Sequence, residues 1–395
     1  MPREAVPVNN CLLHVESLAY GGEAVGHLDS GKVCFVPGLL PGEDAEVRII
    51  QDKKSFSRGE VVRIINSAPV RLKPDCPAFP ACPGCAYSHC DYSTELSWKQ
   101  RQFSDFLQRC GFDIAGKLQP PFGAPERYGY RNKLTLHCAN GTFSMVARDN
   151  ESLIPITSCR LACPQINEAL RNLKVPAGSD AVTIRCTEAD GVISFPGRRA
   201  PEKSNWLTEN IPGVGKLKVA PDGFFQTNPA VAAELIRRAV AEIAGSGFEK
   251  LAELYCGVGV FSIAAALKIP KLRCSGVELS NSAVKAAKWN AAHHGVDARC
   301  RFFSGDAGKL ISKAGVDRRS CLLVDPPRAG LSRQAIENII AAEPGKIIYI
   351  SCAADTLQRD LRIFREHHWQ LDKAGILDMF PATAHFEALV TLIKE

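Results

Sequence analysis

The sequence predicts a multidomain α/β protein in which two β-rich segments precede one doubly wound parallel sheet. After Asn228, apolar runs alternate regularly with amphipathic helical patterns, as in βαβ units on a parallel sheet. The first segment has short strands separated by Gly, Pro and Asp, which indicates a small OB-like β-barrel. The second segment begins with a Pro- and Cys-rich loop and continues mostly as strands. We therefore expect domains at 1–66, 67–220 and 221–395.

Composition excludes several classes of protein. Hydrophobic residues make up 46% and charged residues 23% of 395 residues, which excludes a disordered chain. No apolar run reaches the ~18 residues of a membrane helix, and the first residues lack a signal-peptide core. We therefore expect a cytoplasmic protein that contacts no membrane. Its 16 cysteines should then be thiols, metal ligands or catalysts rather than disulfides.

The barrel segment carries a local run of basic residues. These are Lys53, Lys54, Arg58, Arg63, Arg71 and Lys73, with only Asp52 and Glu60 as acidic neighbours in sequence. Such a stripe could follow a phosphate backbone, and the net charge of +6 permits a polyanionic partner. A solvated face on a capping barrel explains the same residues, so both interpretations stay open.

A cysteine cluster follows the barrel. Cys76, Cys82 and Cys85 lie in a Pro- and Gly-rich loop, where the backbone can wrap a metal centre. Three thiolates that include one CxxC pair predict a structural metal site, either iron–sulfur or zinc. The fourth ligand would be Cys90 or a cysteine from a distant segment. Further along, helical patterns cover 94–110, and strands are expected within 121–220.

The parallel sheet predicts a cofactor site, because ligands bind at the carboxyl ends of such strands. The first strand leads into a loop with Gly257 and Gly259, where the backbone can turn tightly beside a ligand. The second strand ends at Glu278, from which a carboxylate can bind a ribose. Asp306 and Asp325 follow the third and fourth strands. The loop lacks the third glycine of the dinucleotide fingerprint, so an adenosyl ligand without phosphate, S-adenosylmethionine, fits best.

Two further residues suggest covalent chemistry. Cys352 follows the fifth strand at the same edge, and the helix N-terminus at 353–355 would favour its thiolate. A buried packing cysteine is the alternative interpretation. If the last strand runs antiparallel, Glu387 lies close to Cys352 and can accept a proton. Otherwise Glu387 is an edge residue that faces water.

Five motifs in this order resemble the RNA uracil-C5 methyltransferases. They are Phe225–Asn228, Glu253–Ser262, Asp325–Arg328, Tyr349–Cys352 and His385–Glu387. The resemblance extends to the N-terminal barrel, which is similar to the TRAM domain of that family. It implies a class I S-adenosylmethionine-dependent methyltransferase fold, Rossmann-like, for the last domain.

The resemblance also implies roles for single residues. Cys352 would be the nucleophile and Glu387 the base, and the cofactor site would be lined by Gln226, Tyr255, Glu278, Asp306 and Asp325. Family members with a cysteine cluster hold a [4Fe–4S] centre, which implies Cys76, Cys82, Cys85 and Cys159 as its ligands here. Cys163 competes with Cys159 for the fourth position, and zinc is the alternative metal.

The implied reaction explains these residue types. Addition of the Cys352 thiolate to C6 makes the poorly nucleophilic C5 of uracil electron-rich, and Glu387 would remove the C5 proton after methyl transfer. Asp325 and Arg328 could orient the uracil edge and the developing enolate. A stacked base is out of reach, so the uridine is expected in single-stranded RNA or flipped out.

The substrate predicted by resemblance is 23S rRNA, because the tRNA-specific bacterial relatives lack the barrel and the cluster. A tRNA uracil-C5 methyltransferase is the alternative, and no obligate protein partner is inferred. Two other classes are an oxidoreductase with an iron–sulfur relay and a non-catalytic RNA-binding or ribosome-assembly factor. The missing third glycine argues against the first class, and the presence of Cys352 and Glu387 argues against the second.

Overall fold

The computed structural model describes residues 10–176, 178–201 and 204–394. Residues 1–9, which the sequence assigns to the barrel domain, lie outside the described part. The chain forms two compact units. The first comprises Met1–Gln102, Ser144–Ile156 and Phe380–His385, and the second comprises Phe103–Phe143, Thr157–Met379 and Phe386–Glu395. No helix in the described part of the chain has the length and apolar character needed to cross a membrane.

The first unit contains the predicted barrel. Its strands are β1 (Asn10–His14), β2 (Ser17–Leu18), β3 (Glu23–His27), β4 (Val33–Pro37), β5 (Asp44–Asp52) and β6 (Phe56–Asn66). They form one sheet in the order β1-β5-β6-β4-β3-β2. β1 and β2 are consecutive in the chain, and Glu16 N–H between them donates to Val25 O of β3 at 2.9 Å. The strands at the two ends of this order, β1 and β2, are connected directly through Val15 and Glu16, and the prediction of an OB-like β-barrel is confirmed.

Alternation along the barrel strands explains its core. In β5, Ala45 and Val47 are buried while their neighbours point outward, as expected for strands with one solvated face. Leu13 and Val36 from two other strands pack against them in the same apolar cluster. The barrel therefore has its own hydrophobic core.

The middle of the chain combines one long helix with short strands. Its elements are α1 (Tyr92–Arg109), β7 (Lys133–Ala139), β8 (Thr142–Val146), β9 (Leu153–Pro155), α2 (Pro164–Asn172), β10 (Ala181–Thr187), β11 (Gly191–Pro196), β12 (Leu207–Ile211) and β13 (Gly215–Val219). In the second unit β10 pairs antiparallel with β7 and β11, and β12 pairs with β13. The predicted helix and the mainly β character of this region are confirmed.

The last part of the chain forms the predicted doubly wound sheet. Its elements are α3 (Pro229–Gly245), β14 (Lys250–Leu254), α4 (Val260–Lys268), β15 (Arg273–Glu278), α5 (Asn281–His293), β16 (Cys300–Ser304), β17 (Ser320–Val324), α6 (Arg333–Ala342), β18 (Lys346–Ser351), α7 (Ala354–Glu366), β19 (Trp369–Leu377) and β20 (Glu387–Lys394). The strand order is β16-β15-β14-β17-β18-β20-β19. The first five are parallel, and β20 runs antiparallel between β18 and β19.

This topology brings the functional positions to one edge. The carboxyl ends of β14 to β18 and the amino end of β20 all lie there, because β20 runs in the opposite direction. β17 and β18 are buried along their whole length, which explains why they appear in the sequence as continuous apolar runs. A rigid sheet therefore holds the side chains described next.

Candidate active site

The loop after β14 has the backbone geometry of a ligand-binding turn. Tyr255, Gly257 and Gly259 adopt positive φ angles of 64°, 51° and 80°. A Cβ at Gly259 would lie 2.7 Å from the Phe302 ring, so only glycine fits there. A Cβ at Gly257 would meet nothing within 4 Å. The backbone at Gly257 thus borders open space, in which a ligand can approach it.

Glu278 lies against this loop. Its carboxylate accepts hydrogen bonds from Gly257 N–H at 3.1 Å and from Ser280 N–H at 2.8 Å. Asp306 follows β16 and accepts from Lys309 N–H at 3.1 Å. Burial, followed by the charge of Asp306, raises the pKa of Tyr255 above its ordinary value. The structure therefore places Tyr255, Gly257, Glu278 and Asp306 along the ends of three neighbouring strands.

Gln226 belongs to a loop in front of α3. Asn132 holds this loop, because its N–H donates to Thr227 O at 3.2 Å and its Nδ2 lies 3.5 Å from Gln226 O. Asn228 caps α3, with its side chain accepting from Val231 N–H. The Gln226 side chain is half-buried. The backbone of this loop is thus held by Asn132, which directly precedes β7 and is far away in sequence.

Cys352 and Glu387 face each other across two paired strands. The ladder of β18 and β20 ends with Ser351 opposite Ala388, so that Cys352 and Glu387 are the next facing residues. Glu387 is only 2% exposed, which makes the water-facing alternative wrong. The last strand runs antiparallel, which is the condition under which the sequence places Glu387 close to Cys352.

Burial controls the acidity of the thiol. Burial first, and then the charges of Glu387 and Asp325, raise the pKa of Cys352 to about 11, although the Arg328 guanidinium opposes them through its charge and a hydrogen bond. The sequence predicted a thiolate favoured by the helix N-terminus at α7. In the free protein, burial acts against that effect, because desolvation disfavours the charged thiolate.

The two carboxyl groups beside the thiol are also shifted. Burial raises the pKa of Asp325 to about 7. Burial and then the charge of Asp325 raise the pKa of Glu387 well above its ordinary value. Two buried carboxylates near each other disfavour double ionisation, so the charge of each one raises the pKa of the other. A carboxyl group with a raised pKa is suited to accepting a proton.

Asp360 on α7 is a structural residue that the sequence analysis missed. Its carboxylate accepts from Tyr349 O–H at 2.7 Å and from Leu331 N–H at 2.8 Å. Thr356 on the same helix donates to Arg328 O at 2.9 Å. The loop that follows Asp325 is thereby attached to α7. The signal was available, because Asp360 is a charged residue within the apolar stripe of its helix.

Arg148 organises the cysteine loop of the first unit. Its guanidinium donates to Pro80 O at 2.8 Å and to Cys85 O at 3.1 Å. Cys82 Sγ lies 3.4 Å from Gly84 N. Cys90 is buried, and its S–H donates to Tyr87 O at 3.3 Å. Cys90 thus has the surroundings of a packing residue.

The other ligand candidates lie in the second unit. Cys159 N–H donates to Asn167 Oδ1 at 2.8 Å. Cys163 precedes α2 at its N-cap and hydrogen-bonds to Cys186, so the two candidates do not share a helix. Within residues 10–176, 178–201 and 204–394, no group of three or more His, Cys, Asp or Glu side chains is placed to hold a metal ion. The structure therefore does not support the [4Fe–4S] centre, which stays a prediction from the sequence.

The basic stripe of the barrel is partly neutralised. Arg58 pairs with Glu23 at 2.6 Å and Arg63 pairs with Glu46 at 2.7 Å. Arg71 pairs with the fully buried Glu43. Lys53, Lys54 and Lys73 are exposed. The acidic partners come from other parts of the chain, so counting neighbours in sequence overestimated the local positive charge.

Comparisons with known proteins agree with this architecture. The family model of the tRNA (uracil-5-)-methyltransferases matches residues 206–303 and 314–395, and the TRAM domain model matches residues 12–62. An uncharacterized RNA methyltransferase of Halalkalibacterium halodurans is 28% identical, over 99% of this chain and 99% of its own length. One of Thermotoga maritima is 26% identical, over 97% of this chain and 98% of its own length.

A solved structure shares the fold. The tRNA (uracil-54, C5)-methyltransferase of Pyrococcus abyssi, in complex with S-adenosyl-L-homocysteine, superposes with a TM-score of 0.73 at 21% identity. The match covers 96% of this chain and 99% of that one. This similarity shows the class I methyltransferase fold preceded by an OB-like barrel. From the two domain matches and these relatives, we conclude that the chain belongs to the RNA uracil-C5 methyltransferase family.

Proposed function

We propose that the protein transfers a methyl group from S-adenosylmethionine to C5 of a uridine in RNA. The observation that carries the proposal is the pairing of Cys352 with Glu387 at the sheet edge, next to Asp325 and Arg328. The reaction needs a nucleophile that adds to C6 of the uracil and a base that removes the proton from C5. A thiol and a buried carboxyl group with a raised pKa supply both.

The cofactor residues fit S-adenosylmethionine. Gly257 borders open space, and Glu278 accepts a hydrogen bond from its N–H, so a ribose placed there would meet a carboxylate. Gly259 starts α4 directly, without the third glycine that a pyrophosphate site uses. Gln226, Tyr255, Asp306 and Asp325 would complete the site. When bound, S-adenosylmethionine supplies an electrophilic methyl group on its sulfonium.

The residues of the chain would then act in order. The Cys352 thiol first loses its proton to solvent, and the thiolate forms a bond to C6. The C5=C6 electron pair then becomes available at C5 while Arg328 lies near the developing charge. After C5 is methylated, Glu387 takes the C5 proton. The electron pair of the C5–H bond restores the C5=C6 double bond, and the C6–S bond breaks to release the thiolate.

RNA is the partner class that the TRAM domain and the family support. We propose 23S rRNA as the substrate. The support for this is the presence of the cysteine cluster and the barrel, which the tRNA-specific bacterial relatives lack according to the sequence resemblance. A tRNA substrate is the second candidate, because the match to the Pyrococcus abyssi protein named for tRNA uracil-54 covers 96% of this chain. Methylation of 23S rRNA and of total tRNA, both unmodified, separates the two candidates.

Tritium release tests the reaction itself. RNA that contains [5-³H]uridine should release tritium to water when the C5 proton leaves, and the product should carry one methyl group. Cys352→Ala should abolish release while RNA binding persists. Unchanged methylation by this variant would refute the mechanism, and RNA binding without methylation by the wild type would favour the assembly-factor alternative. RNA with 5-fluorouridine should trap a covalent complex with Cys352.

A further inference from the structure

The segment in front of Glu387 belongs to the first unit, although the strand that it precedes belongs to the second. β19 ends at Leu377 and β20 begins at Glu387. Residues Phe380–His385 between them form part of the unit that contains the barrel. We call this segment the base loop. Its last residue is only two positions before Glu387.

Ala382 is the centre of the base loop. Its N–H donates to Glu95 Oε1 at 2.7 Å, and its carbonyl accepts from Ala86 N–H at 2.8 Å and Tyr87 N–H at 3.0 Å. Its φ of 64° lies in the left-handed region, which an alanine adopts only when surrounding contacts hold it there. The conformation of the loop is therefore set by residues 86–95.

A buried ion pair on α1 fixes the loop at a second point. Glu95 and Lys99 are fully buried and lie 2.7 Å apart, one helical turn from each other. Lys99 Nζ also lies 3.3 Å from Phe380 O. Burying two charges costs free energy that an apolar pair would not cost, so stability alone does not explain this pair. Glu95 contacts the base loop at Ala382, and Lys99 contacts it at Phe380.

The same face of α1 continues towards Glu387. Phe103, one further turn along the helix from Lys99, packs its ring edge-on against Phe386 with centroids 5.8 Å apart. Phe386 directly precedes Glu387 and is 2% exposed. From the barrel, Tyr20 approaches His385, with its O–H 3.5 Å from Nδ1. The chain before the carboxylate is thus held at several successive residues.

We infer that Glu95 and Lys99 are positioning residues, which hold the base loop so that Glu387 reaches the C5 proton. The inference rests on the proposed function. In that reaction the base acts after methyl transfer, whereas Cys352 acts before it. A displaced Glu387 therefore slows release of the methylated adduct without preventing its formation. A general loss of stability would instead lower the rates of adduct formation and adduct release together.

The test exchanges the ion pair for apolar side chains. Glu95→Leu/Lys99→Met removes both contacts to the base loop, and such exchanges of buried pairs are often neutral for folding. The matched control is Glu242→Leu/Lys346→Met, a pair 2.6 Å apart at the amino end of β18, away from Cys352. Each protein is incubated with [methyl-³H]S-adenosylmethionine and unmodified RNA. We measure kcat, KM for RNA, melting temperature and the labelled protein–RNA complex that survives denaturation.

The Glu95/Lys99 variant should lose about tenfold or more in kcat, since misplacing a catalytic group by ~1 Å can cost up to ~100-fold. Because breakdown of the adduct then limits turnover, its KM for RNA should fall together with kcat, and the labelled covalent complex should rise several-fold over the wild type. The control should show neither effect. The single variant Glu95→Gln keeps an oxygen that can accept from Ala382 N–H. It should therefore release the methylated adduct at most of the wild-type rate, unlike the double variant.

Two outcomes overturn the inference. One is a folded Glu95/Lys99 variant with wild-type amounts of covalent complex, and the other is an equal rise in the control. If the double variant does not fold, Glu95→Gln and Lys99→Met are compared singly, and Lys99→Met must accumulate more complex. Absence of methylation by the wild type would be a failure of the proposed function, which the same assay records separately.

Discussion

The reactivity of Cys352 in the ligand-free protein is a quantitative consequence of its burial. Its pKa is raised to about 11. At pH 8 only about one thiol in a thousand is then ionised, because each unit of pKa changes the ratio tenfold. Alkylation by iodoacetamide needs the thiolate, so its rate should increase about tenfold for each pH unit between 7 and 10.

Arg328→Gln should make the thiol still less reactive. The guanidinium stabilises the thiolate through its charge and a hydrogen bond, so its removal raises the pKa of Cys352. Each further unit of pKa would lower the alkylation rate at fixed pH about tenfold, which corresponds to about 1.4 kcal/mol. The variant should therefore be alkylated more slowly than the wild type at every pH below the plateau.

Mass spectrometry of the peptide that contains Cys352 gives these rates. The urea-denatured chain is the reference, because its thiol titrates near the ordinary value of 9.0. Circular dichroism at each pH verifies that the protein is folded. A folded protein whose alkylation profile has its midpoint at or below that of the denatured chain would refute the burial argument, and faster alkylation of Arg328→Gln would refute the role of the guanidinium.

Three further predictions concern stability and composition. Burial raises the pKa of Glu253 to about 8 from 4.5, so the folded protein binds a proton that the unfolded chain has lost, and stability should fall as pH rises through this window. Urea titrations should show a smaller loss between pH 5 and 8 in Glu253→Gln, and an unchanged pH dependence would contradict the assignment. Asp360→Asn should cost ~1–3 kcal/mol in unfolding free energy, because it weakens the bonds to Tyr349 and Leu331, whereas an exposed control such as Glu337→Gln should cost nothing measurable. The sequence predicts iron and acid-labile sulfide in anaerobically purified protein and their loss in Cys85→Ser, and colourless wild-type protein without either metal or sulfide would reject the metal centre.

Much of the fold follows from local patterns in the sequence. Continuous apolar runs such as Lys346–Ser351 indicate strands buried on both faces, and helical periods between them indicate crossovers, so a parallel sheet is the expected result. Pro229 with Asn228 before it predicts the start of α3 where the structure has it. These signals depend on residues close together in the chain.

Charge interactions were predicted less well, because they join residues far apart in sequence. Arg71 was counted as part of a basic stripe, but it pairs with Glu43 from another part of the barrel. Cys352 was expected to be acidic from its helix, and the carboxyl groups that oppose this come from β17 and β20. Local sequence shows which groups can ionise, whereas their surroundings determine whether they do.

The sequence alone determined which residues end each strand, and the direction of β20 was enough to bring Cys352 and Glu387 together. Only the tertiary structure decided how deeply these groups are buried and which residues hold the chain beside them, such as Thr356 at Arg328 and Glu95 at Ala382. The physical reason is that strand order and periodicity are encoded by neighbouring side chains. Desolvation and hydrogen bonding depend on atoms that folding brings from distant parts of the chain.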